Sequence, residues 1–201
     1  MKRFIVCALI GIISSSVFAQ STAQNIAKGI EFHNAAKTES DGYARKCKES
    51  LFPYIDVNMT ARAYYGSAVT LEAGYCSKSN PLHALDLLRE GSSYIDEAVA
   101  KENTNAELHI IRLVNGILVS KSSPFKRYAV IKDDVAYLLE KKNTAALDKN
   151  TMALIYLYCG YFRIEENSLE EAFDLFDKAI AAAPGSDSAK EAQIMEARYE
   201  E

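Results

Sequence analysis

Three histidines, His33, His83 and His109, are the first residues to test for chemistry. No two of them stand at i and i+4, the interval that sets two imidazoles on one helical face, and none belongs to an H-E-x-x-H motif. His109 lies in an almost wholly apolar stretch, which predicts a hydrogen-bonded core histidine. His83 is predicted to be solvated in the first turn of an outer helix. Carboxylates pair at Asp133-Asp134, Glu165-Glu166 and Glu170-Glu171. Sugar hydrolysis needs two carboxylates across one bond, one of them with a raised pKa. These pairs stand near helix ends or on polar faces, where water keeps them ionised. Nucleophile motifs are missing: there is no G-x-S-x-G, and Gly66-Ser67, Gly91-Ser92 and Gly185-Ser186 fall on helices or a helix exit. No Walker loop or G-x-G-x-x-G occurs. Cys47, Cys76 and Cys159 form no C-x-x-C, and Cys159 reads as a buried structural thiol. These residues predict no catalytic group, no metal ligand set and no cofactor.

The chain has 201 residues, 49% apolar and 25% charged, which is the composition of a globular domain long enough to bury a core. Its net charge of −4 argues against a general nucleic-acid binder. Basic residues at Arg45-Lys46, Lys48 and Lys126-Arg127 are diluted by acids and read as solvated surface. The start, Met1-Lys2-Arg3, an uncharged Phe4 to Ile13 and then Ser14 to Ala19, has the layout of a secretory signal peptide. Cleavage after Ala19 leaves a single domain over 20–201. The expected location is the periplasm or outside the cell, with no membrane span after cleavage. An odd number of cysteines then remains. Cys47 and Cys76 are predicted to stay apart, roughly 20 Å along facing helices.

The remaining chain is punctuated as helices. Asn80-Pro81 and Ser123-Pro124 each supply an N-cap followed by proline at the first helical position. Leu85, Leu88, Ser92, Ile95 and Val99 then recur at helical spacing, as do Phe125, Tyr128, Ile131, Val135 and Leu138. Lys141 and Lys142 are expected to close the second of these helices. Ser168-Leu169-Glu170-Glu171 has the form of a capping box. The stretches Asn105 to Ser120 and Thr151 to Ile164 are apolar nearly all round, as expected of helices buried between neighbours. Ser188 to Glu200 reads as a polar capping helix. The predicted class is all-α, about eight helices in stacked antiparallel pairs.

One segment carries a family pattern. Over residues 153–186, Ala153 and Tyr156 are followed by Gly160, Ala172, Phe176, Ala179 and Pro184 at the spacing of one 34-residue tetratricopeptide repeat. Cys159 and Arg163 depart from it, in places where leucine and tyrosine are usual. Upstream the pattern decays, although Gly116 can take a glycine position. The chain therefore resembles a divergent tetratricopeptide-like helical repeat protein. That resemblance implies a partner-binding groove lined by the first helix of each pair, here at Leu157, Tyr161, Ile164 and Glu165. Leu154 can join them.

The resulting expectation is a non-enzymatic exported scaffold or accessory factor that binds another envelope or secreted protein or peptide. Twelve tyrosines and no tryptophan leave a second reading open, a small-molecule cavity among the helices carrying Tyr64-Tyr65, Tyr156, Tyr158 and Tyr161. A third is a helical cell-wall hydrolase. Glu39-Ser40 and Glu49-Ser50 resemble the way lytic transglycosylases write their acid, without the glycine-rich and aromatic motifs expected around it.

Overall fold

The computed structural model describes residues 21–37 and 41–200. The segment read as a signal peptide and the Glu39-Ser40 pair lie outside them. The described residues contain no strand. They form α1 (21–36), α2 (Asp41–Leu51), a 3-10 turn at Phe52–Tyr54, α3 (Met59–Cys76), α4 (Pro81–Lys101) and α5 (Ala106–Ser122). Then come α6 (Tyr128–Leu139), α7 (Lys141–Thr144), α8 (Lys149–Glu165), α9 (Leu169–Ala182) and α10 (Asp187–Glu200). That makes ten helices rather than about eight. The short α7 is split from α6 by Glu140, whose backbone is extended (φ −71°, ψ 112°). Lys141 and Lys142 therefore open a new turn instead of closing α6.

Side-chain caps explain several starts. Asn58 accepts from the Ala61 amide, Asn105 from Glu107, and Asp148 from both Asn150 and Thr151. Each satisfies an amide that a helix N-terminus leaves open. Two expected caps differ. Ser168 makes no side-chain cap bond, so the capping box does not close. Instead the chain turns at Asn167 (φ 60°), and the Ser168 amide bonds the Arg163 carbonyl at the end of α8. The Ser123-Pro124 start is displaced to Tyr128. Ser120 holds the connection in a loop: its hydroxyl accepts from the Arg127 amide (2.7 Å), and its carbonyl accepts from Lys126 (2.5 Å).

The chain divides into two units, one up to Gly91 and one from Ser92, with α4 running through the division. In the first unit Gly29 on α1 lies against Leu51 on α2, too close for a Cβ. A Cβ on Gly91 would meet the Gly66 carbonyl of α3 and the Thr70 methyl, 2.7 Å away. Cys47, Leu51, Ala61 and Ala68 are buried together, with Phe32 and Tyr64 packed on them. In the second unit Gly116 on α5 backs onto Ile131 of α6, and Gly160 on α8 onto the Phe176 ring of α9. Residues that meet lie at similar distances either side of a connecting loop, so each pair is antiparallel. The core between them holds Leu113, Ile117, Ile131, Leu138, Ile155 and Phe176, each almost completely buried. Burial of each such side chain contributes roughly 1.5–3 kcal/mol. Helix α10 closes this unit by packing on α9 and α8, burying Ala192 and Met195. No helix among the described residues is long and apolar enough to cross a membrane.

Candidate functional site

The four groove residues expected on α8 take different places. Leu157 (4% exposed) and Tyr161 (8%) are buried in the core of the second unit. Ile164 is half-buried against the same core, and Glu165 is exposed. Tyr161 is the junction of this region. Its hydroxyl donates to Glu191 Oε1 of α10 at 2.6 Å, and Lys121 Nζ of α5 stands 3.7 Å above its ring centroid. Tyr158 and Phe176 meet the ring edge-on, with centroids 5.8 and 6.1 Å away. Burial and then the Glu191 carboxylate raise the Tyr161 pKa, so the phenol stays a donor. Burial also lowers the Lys121 pKa.

One residue therefore ties α5, α8 and α10 together along a single face. Helical spacing places further side chains on it. Leu118, 48% exposed, lies one turn before Lys121; Ile194, 53% exposed, lies one turn after Glu191. Arg198 follows one turn further along α10. Glu165 lies one turn beyond Tyr161, and burial and then its carboxylate charge push the Tyr128 hydroxyl up to about 12. The face is thus the buried Tyr161 with half-buried Tyr158 beside it, two exposed aliphatic side chains and a charged margin. Sequence reading reached Tyr161 and Glu165 but missed Lys121, Leu118, Glu191 and Ile194.

A second cluster in the same unit is architectural. Asp134 of α6 is fully buried. Its Oδ1 accepts from His109 Nδ1 (2.6 Å) and Arg112 Nη2 (2.8 Å), and its Oδ2 from Arg112 Nε (2.8 Å). His109 Nε2 faces the Asn103 carbonyl at 2.9 Å, and the ring stacks on Tyr137 at 4.0 Å. Nearby, Arg127 grips Asp96 with both terminal nitrogens, at 2.6 and 2.9 Å. Arg127 is only 6% exposed, which corrects its reading as solvated surface. Asp134 likewise corrects the reading of its acidic pair as water-facing. Each carboxylate oxygen of Asp134 and Asp96 accepts from at least one arginine or histidine donor, an arrangement that holds α4, α5 and α6 together.

The other chemical candidates are quiet. In the first unit His33 Nε2 lies 2.8 Å from Ser67 Oγ, but both residues are buried and His33 Nδ1 has no hydrogen-bond partner. Burial and the Lys37 charge push this imidazole down to about 4. Burial pushes the Cys47 and Cys159 thiols up to about 12, so little of either is the reactive thiolate. Cys47, Cys76 and Cys159 are unbridged. Among the described residues no three His, Cys, Asp or Glu side chains converge as a metal would need. A depression of about 240 Å³ on α6, α8 and α9 is lined by Tyr156, Leu139 and Leu175 with charged walls. Its charges pair among themselves, Arg163 with Glu171 and Lys178 with Asp174, and it is smaller than a typical ligand pocket. No protein-family model, curated protein or solved structure matches this chain, so the reading of the site rests on its own residues.

Proposed function

We propose that this chain is an exported, tetratricopeptide-like scaffold that binds another protein or peptide on the face formed by α5, α8 and α10. The observation that carries the reading is the Lys121–Tyr161–Glu191 row, which fixes three helices side by side with Leu118 and Ile194 exposed on either flank. Held rigid before binding, such a face loses little conformational entropy when a partner docks. Half-buried aromatics beside exposed aliphatic side chains are the composition of an interface centre, and the charged margin suits a rim. The close contact of Gly160 with Phe176 supports the repeat resemblance, since the small residue stands where two paired helices approach.

Affinity capture from a native envelope extract tests the reading. The intact chain is compared with a Leu118→Ala, Ile194→Ala variant, which leaves the buried Leu157 and Tyr161 in place. Enrichment of one protein that the variant loses while remaining folded supports the face. Equal enrichment by both chains contradicts it.

A further inference from the structure

The connection between α2 and α3 carries the only N-x-S/T sequence of the chain, Asn58-Met59-Thr60. Asp56 extends it to Asp-Val-Asn-Met-Thr. N-x-S/T is the acceptor pattern for N-linked glycans, which belong on surface connections of exported chains. The fold puts this copy on such a connection. Asn58 is partly exposed just after the 3-10 turn, and its amide and that of Val57 both bond the Tyr54 carbonyl, at 2.9 and 3.1 Å. Val57 is 80% exposed, and the Asp56 side chain is 87% exposed although its Oδ1 lies 3.3 Å from Arg62 Nη1. The two ends of the Asn58 amide are used differently. Oδ1 accepts from the Ala61 amide at 2.8 Å and caps α3. Nδ2, with no protein partner among the described residues, opens to solvent.

We infer that Asn58 is the acceptor of an N-linked oligosaccharide, transferred from a polyprenyl pyrophosphate donor by an oligosaccharyltransferase of the cell envelope. In that transfer Nδ2 gives a proton to a base of the transferase and bonds the anomeric carbon of the first sugar. The bond from that carbon to the pyrophosphate oxygen breaks, and the lipid pyrophosphate leaves with its electron pair. Nothing is oxidised or reduced. Oδ1 is not consumed. It stays a carbonyl acceptor, so the glycosylated side chain can still cap α3. Thr60 supplies the hydroxyl that the pattern requires two residues on. The exposed Asp56 carboxylate, two residues before, offers a transferase cation a charge-assisted bond. A glycan on Asn58 would also lie beside Val57, on the same connection as the exposed Phe52, and withdraw apolar surface from water. This inference is independent of the α5/α8/α10 face and rests only on the export part of the reading above.

Mass spectrometry of the chain purified from its native host and digested with trypsin tests this. Cleavage after Lys48 and Arg62 releases residues 49–62 as one peptide. The result expected is a product that begins at Gln20, with hexose or N-acetylhexosamine increments on the 49–62 peptide that fragmentation places on Asn58. Asn58→Asp keeps a capping oxygen, so it should lose the increment and retain the helical circular dichroism of the parent. Thr60→Val should lose the increment and Thr60→Ser should keep it. An unmodified 49–62 peptide in a chain that begins at Gln20 overturns the acceptor and leaves export standing. An unmodified chain that retains Met1 overturns both. An increment that survives Asn58→Asp overturns the assignment to this residue.

Discussion

Acidification should destabilise the first unit through His33. This imidazole is buried, held to Ser67, and pushed from 6.5 down to about 4 by burial and then by Lys37. In the unfolded chain it would titrate near 6.5. Between about pH 6.5 and 4 the unfolded state therefore binds a proton that the folded state refuses. Stability falls as pH drops through that window and is constant with respect to this group outside it. At 1.36 kcal/mol per pK unit, the loss across the window is about 3 kcal/mol. That is a large fraction of the stability of a typical domain. The assay is urea denaturation of the intact chain and of His33→Gln every half unit from pH 7 to pH 4. Glutamine can still bond Ser67 but takes no proton. Carboxylate protonation affects both chains and cancels in the difference. The parent should lose about 3 kcal/mol more than the variant over this range. Identical slopes, or a His33 ring resonance that titrates near 6.5, would refute the reasoning.

Asp134→Ala should cost roughly 3–5 kcal/mol in denaturant titrations, because the largely buried Arg112 would keep only the longer pairing with Asp96 at 3.8 Å and His109 Nδ1 would lose its acceptor. A loss under about 1 kcal/mol would mean that the cluster opens to water. Gly160→Leu should cost several kcal/mol by overpacking, since the first added carbon already collides with the Phe176 ring. Gly74→Ala is its counterpart: a Cβ there meets nothing within 4 Å. It should raise stability by about 0.5–1 kcal/mol, through helix propensity and a less flexible unfolded chain. Thermal melts of the two glycine variants that shift in the same direction would contradict this assignment of close and open helix positions.

Much of the helical framework was legible because caps and apolar spacing are local signals. Asn80-Pro81, the apolar stretch from Asn105 and the positions Ala172, Phe176 and Ala179 mark elements that form as read. The start of α6 was not legible. It depends on Ser120 and on Arg127 reaching Asp96, partners that come together only when the helices pack. The buried network escaped for the same reason, although hints were present. Asp134 stands inside the apolar spacing of Ile131, Val135 and Leu138, and Arg112 lies on an otherwise apolar helix. Opposite charges on two apolar faces are the sequence trace of such a pair. In the candidate site, α8 was readable from its repeat pattern. The contributions of α5 and α10 were hidden, because a face shared by three helices is a property of their packing.

Site-specific photo-crosslinking in the native host tests the binding face most directly. A photoreactive phenylalanine is placed in turn at Leu118 and Ile194 on the face, and at Val130 and Leu169 on α6 and α9. All four side chains are more than a third exposed in the parent chain. The result expected is one discrete adduct from positions 118 and 194 and none from 130 and 169. Adducts at 130 and 169 but not at 118 and 194, or from all four alike, would contradict the assignment of the α5/α8/α10 face as the place where this protein meets its partner.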